Sequence, residues 1–96
     1  MAVPIPSLYI ENVIREIALS RRLFDTHDVI KRLMARYPAR YKTALAACGA
    51  KRNPLHSLHT QLGRAIAEIC LRLGYHPRQS RSKDIHDRNS RCLSWS

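Results

Sequence analysis

Between Asn53-Pro54 and Gly74, the residues Leu55, Leu58, Leu62, Ile66, Ile69, Cys70 and Leu73 recur at the spacing that paints one face of an α-helix. The boundary signals agree with this stripe: an asparagine cap followed by proline at the first helical position, and a closing glycine suited to a left-handed cap. A helix of about five turns with an apolar stripe on one side has to bury that stripe against other elements. The remainder of the chain is therefore expected to supply a helical partner for it.

Two upstream segments meet that requirement. Ser7 is placed to cap a first helix whose Ile10, Val13, Ile14, Ile17 and Ala18 share a face, ending around Arg21. Leu23-Phe24-Asp25 breaks the pattern, Thr26 stands at an N-cap position, and Asp28 in the first turn favours the dipole of a second helix. Val29, Ile30, Leu33, Met34 and Tyr37 form its stripe. Pro38 is tolerated at the start of a helix but not inside one, so it opens a separate short helix. Tyr41, Leu45 and Cys48 are its inward positions and Gly49 its stop. Residues 1–6, with two prolines, read as an extended lead-in.

After Gly74 the chain turns polar and basic. Arg91, Leu93 and Trp95 alternate with Cys92 and Ser94 as in a half-buried strand, and Tyr75-His76 begins its partner across a loop containing residues 83–89. A tryptophan this close to the end of the sequence argues for a docked strand, since tails seldom spend large aromatics. The predicted fold class is mainly α: a three-helix domain over residues 7–96, with an extra short helix before the long one and a C-terminal β-hairpin at about 75–95.

With 96 residues the chain has room for one modest core. Its 45% apolar and 25% charged residues are those of a folding domain. The charge balance is the unusual property: 17 Lys and Arg against 7 Asp and Glu give a formal +10, a field that attracts polyanions. No run approaches the length of a membrane span, and the start lacks the basic, apolar, small-residue order of a secretory signal, so a cytoplasmic protein is expected. Cys48, Cys70 and Cys92 are widely spaced and odd in number, which fits neither a disulfide framework nor a zinc motif of close pairs; buried thiols are expected.

The cations are unevenly spread. No acidic residue lies between Asp28 and Glu68, while Lys31, Arg32, Arg36, Arg40, Lys42, Lys51, Arg52 and Arg64 do. Solvated faces normally mix both signs, so this stretch predicts a dedicated basic surface able to neutralise phosphates. With the leucines of the long helix inward, His56, His59, Thr60, Gln61 and Arg64 fall on outward or flanking positions, near a helix N-terminus that favours anions. A third basic group, Arg78, Arg81, Lys83, Arg88 and Arg91, is offset only by Asp84 and Asp87 and suits a finger along a phosphate backbone.

Taken in order, the first helix, the Leu23-Phe24-Asp25 segment, the second helix beginning in LFDTHDVIKRL, the long helix and the hairpin closing on Leu93 and Trp95 resemble the winged-helix superfamily. The resemblance is architectural and spans most of residues 7–95. In that superfamily the third helix typically enters the DNA major groove and the hairpin wing touches backbone or minor groove. It therefore implies base or groove contact for His56, His59, Thr60, Gln61 and Arg64 and wing contact for Arg78, Arg81 and Lys83, while Lys51 and Arg52 belong to the basic stretch expected to neutralise phosphates. The chain departs from the pattern in its extra helix and in a long, glycine-free wing tip.

Nucleophile and metal motifs with known settings, paired carboxylates and phosphate-cradling glycines are missing, so no enzyme activity, metal or cofactor is expected. DNA is the favoured partner, bound by a regulator or accessory factor that occupies a site. The alternative is docking or inhibition through the same basic surface on an acidic protein or ribonucleoprotein. RNA ranks lower because stacking platforms are scarce, with Phe24 and Trp95 expected inside. No helix pairs exposed bulky apolar residues with its basic face, which disfavours a membrane surface. The oligomeric state, a homodimer included, stays open.

Overall fold

The computed structural model describes residues 5–49 and 52–96. Lys51, part of the predicted basic loop, lies outside the described residues, as does most of the lead-in. Four helices form where the stripes predict: α1 over Ser7–Ser20, α2 over Thr26–Arg36, α3 over Pro38–Ala47 and α4 over Pro54–Arg72. Three strands, β1 (Phe24–Asp25), β2 (Pro77–Lys83) and β3 (Asn89–Trp95), make an antiparallel sheet of order β1-β3-β2. The chain is thus mainly α with a C-terminal hairpin. No helix among the described residues is long and apolar enough to cross a membrane.

The core lies where α1, α2 and α4 turn their stripes toward one another. Ile10 and Ile14 from α1, Val29 and Leu33 from α2, and Leu58, Leu62 and Ile66 from α4 are all essentially inaccessible. Ile5, just ahead of α1, is also buried there, so apolar packing begins before the first helix. α3 adds Tyr41, Ala44 and Cys48. The helix starts are satisfied in different ways. Asn53 caps α4 by accepting from the His56 amide at 3.1 Å. α1 starts after Pro6 without a side-chain cap, Ser7 being its first residue rather than its cap.

At α2 the cap is Asp25, one residue earlier than Thr26. Asp25 Oδ1 accepts from the Asp28 amide at 2.8 Å while Asp28 Oδ2 accepts from the Asp25 amide at 3.0 Å, a reciprocal capping box. Thr26 is freed for another task. Its hydroxyl donates to the Leu93 carbonyl at 3.2 Å and accepts from Trp95 Nε1 at 3.4 Å. This bond lets the indole be buried without an orphaned N–H. Together with the pairing of Phe24 to Trp95 and Asp25 to Ser94, it clamps the end of β3 onto the start of α2.

The hairpin is longer than Tyr75-His76 suggested, pairing from Pro77 with Trp95 to Lys83 with Asn89, and His76 bonds Ser96 just beyond. Its glycine-free tip is built on Asp84. One carboxylate oxygen accepts from the amides of His86 at 2.9 Å and Arg88 at 3.1 Å. Asp87 takes a positive φ of 58°, a conformation Asp tolerates better than most side chains. The backbone bonds to Asp84 lower its pKa, those from Arg88 foremost.

Candidate nucleic-acid interface

The front half of α4 and the hairpin face each other across a cleft of about 640 Å³. His56, His59, Thr60, Gly63, Arg64 and Ala67 line one side, Asp84, Ile85 and residues 90–93 the other, and Thr26, His27 and Ile30 form the floor. His56, Thr60 and Arg64, four residues apart, lie in one row along the helix and are all exposed. Gly63 stands beside them, and a β-carbon built on it meets nothing within 4 Å.

His59 and Gln61 are placed differently. His59 is half-buried and its Nε2 lies 2.7 Å from the Tyr41 hydroxyl of α3. Burial holds the His59 imidazole below the ordinary histidine range, helped by nearby His86, His27 and His56 and opposed by Asp84. Burial likewise raises the Tyr41 phenol, so the pair is neutral near pH 7. His59 thus braces the extra helix against α4 as much as it faces the cleft. Gln61 is half-buried and is not among the residues lining the cleft.

Pleating sorts the hairpin cations. Arg81 and Lys83 share one face of β2 with each other, whereas Arg78 points to the opposite face. Arg81 sits directly across from Arg91 of β3, and both are exposed. Arg91 thus borders two depressions, the α4 cleft together with Arg64 and a second of about 600 Å³ together with Arg81. Arg52 is exposed just ahead of α4. The sequence marks Arg91 only as one of the hairpin cations, and the strand register sets it opposite Arg81.

The ion pairs divide the cations further. Glu11 engages Arg15 and Arg72, Glu16 engages Arg32 and Arg36, and Asp28 engages Arg21. The acid-free stretch between Asp28 and Glu68 is thus partly neutralised from outside itself, because α1 packs against α2 and presents Glu16 to two of its arginines. Arg40 lies over the Tyr9 ring at 4.1 Å. Among the described residues, no salt bridge reaches Arg52, Arg64, Arg78, Arg81, Lys83 or Arg91.

No family model, curated protein or solved structure matches the chain. What the arrangement can do is consequently read from its own groups. The cleft rim offers guanidinium donors for phosphate or base edges, and His56 and Thr60 offer short polar groups on a helix face.

A polar chain absent from the sequence reading crosses the floor. His27 Nδ1 meets the Ser82 hydroxyl at 2.7 Å, its Nε2 meets the Ser90 hydroxyl at 3.3 Å, and Ser90 donates to Asp84 Oδ2 at 3.2 Å. Cys92 lies beside it, its sulfur 3.6 Å from the Ser82 hydroxyl, with burial raising the thiol pKa. Cys48 and Cys70 are buried as expected, and burial pushes the Cys70 thiol up to about 12. No local spacing marks the floor group, because α2 and the two hairpin strands bring it together.

Proposed function

We propose that this chain is a DNA-binding module of winged-helix type, without enzymatic activity, that acts by occupying a site on duplex DNA. Helix α4 enters a groove with His56 and Thr60, while Arg64 beside them and Arg81, Lys83 and Arg91 of the hairpin contact the phosphate backbone. The element order and the β1-β3-β2 sheet support the winged-helix reading. The observation that carries the function is the division of charge. Three carboxylates engage five arginines of the helices, whereas Arg64, Arg91 and Arg81, which border two adjoining depressions, have no carboxylate partner among the described residues, a property they share with Arg22, Lys31, Lys42 and Arg88. Arg81 and Arg91 are also held opposite each other, an arrangement that costs the free protein stability and suits a polyanion between them.

RNA stays the weaker partner, since Phe24 and Trp95 are buried and offer no face for stacking. The deciding experiment is a salt titration of binding to a labelled DNA duplex by fluorescence anisotropy. Affinity should fall steeply and linearly on a log–log plot, as expected for counterion release. Absence of binding at low salt rejects the proposal and favours docking on an acidic protein instead.

A further inference from the structure

Asp25, His27 and Cys92 each place one ligand atom within 4.8 Å of the other two, and all three are half-buried. We propose that they form a binding site for a zinc-type divalent metal ion, joining the start of α2 to the central strand of the hairpin. The proposal does not depend on DNA binding.

The hydrogen bonds determine which imidazole nitrogen is free. The hydrogen of the Ser90 hydroxyl goes to Asp84 Oδ2, so toward His27 that hydroxyl can only accept, and Nε2 carries the ring proton. Nδ1 then holds the lone pair, and it faces the Ser82 hydroxyl at 2.7 Å. That hydroxyl also lies 3.6 Å from Cys92 Sγ, so it stands between the nitrogen and sulfur donors. A metal ion held by both displaces it or takes it as a further ligand.

The surroundings match those of a metal-binding histidine. Such a ring usually donates its other N–H to an oxygen that fixes the tautomer, and the His27–Ser90–Asp84 chain supplies this. Asp25 is held by the capping box and by pairing with Ser94, and its carboxylate keeps lone pairs beyond the one accepting from the Asp28 amide. The donors therefore come from elements whose relative positions the sheet register fixes. Asp84, reached through Ser90, adds a further negative charge near the site in a chain of formal charge +10.

Sulfur, imidazole and one carboxylate select Zn(II)-like ions over Mg(II) and Ca(II), which prefer all-oxygen shells. Three protein donors leave a fourth position for Ser82 or water. On binding, the Cys92 thiol releases its proton to solvent as the metal–sulfur bond forms, while His27 Nδ1 and an Asp25 carboxylate oxygen donate lone pairs. No oxidation or reduction is involved.

The test uses untagged protein freed of metal and titrated with Co(II), a spectroscopic stand-in for Zn(II). A thiolate-to-cobalt charge-transfer band should rise in the near ultraviolet, saturate at one equivalent and disappear when Zn(II) is added. Cys92→Ser should lose the band, with circular dichroism checking that it folds, and Cys48→Ala should keep it. Ser90→Ala should weaken binding roughly 10–100-fold, as expected for losing the group that orients a ligand. As a measurement on the unaltered chain, Zn(II) should slow alkylation of Cys92. No charge-transfer band at saturating Co(II), a band that survives Cys92→Ser, or an alkylation rate indifferent to Zn(II) each overturns the proposal.

Discussion

Replacing Arg81 and Arg91 by glutamine should move stability and DNA affinity in opposite directions. In the free protein the two guanidinium groups are directly opposed across β2 and β3, and cross-strand pairs contribute on the order of 0.2–1 kcal/mol, unfavourably for like charges. Because both are exposed, the lower part of that range applies, and either single substitution should raise Tm by about 1–3 °C, given some 4–8 °C per kcal/mol for a domain of this size. Binding should respond the other way. If Arg64, Arg81, Lys83 and Arg91 each neutralise one phosphate, the log–log salt slope is about −0.9 × 4, or about −3.6. Affinity then falls roughly 150-fold between 50 and 200 mM salt. The double variant should show a slope near −1.8 and a loss of only about 12-fold over the same range. Thermal unfolding by circular dichroism and anisotropy titrations at several salt concentrations measure both quantities on the same samples. A double variant that keeps the full slope, or that loses stability together with affinity, refutes the assignment of these two arginines to phosphate.

Two further outcomes follow from individual environments. Gly63→Ala should stabilise the domain by roughly 0.4–1 kcal/mol, since the position is helical and a β-carbon there meets nothing within 4 Å; a lower Tm would contradict the open placement of that residue. His59 has a folded-state pKa below its unfolded value, so the unfolded chain takes up a proton first as the solution is acidified. Its contribution is intact above about pH 6.5 and declines as pH falls from there through the folded pKa. Tm measured from pH 8 to 5 should fall less steeply in His59→Gln than in the parent, and identical slopes would remove His59 from the acid response.

The helices were legible because their causes are local. Stripes at helical spacing, Asn53-Pro54, Pro38 and Gly74 act within a few residues, and α3 and α4 start at the residues these signals name. Boundary details resting on competing neighbours were less readable. Both Asp25 and Thr26 can cap a helix; Asp25 does so while Thr26 bonds Leu93 and Trp95, residues 67 and 69 positions away. Along the hairpin, composition counted five cations, but strand pairing decided that Arg81 faces Arg91 and that Arg78 points elsewhere.

From the sequence alone come the number and order of helices, a C-terminal hairpin and an excess of positive charge. Only the tertiary structure decided which cations are neutralised, that His59 is tied to Tyr41, and that Asp25, His27 and Cys92 meet. The reason is one of range. Backbone preference and side-chain periodicity are properties of near neighbours along the chain, whereas charge pairing and ligand geometry depend on separation in space, set here by how α1 packs on α2 and by the register of β3.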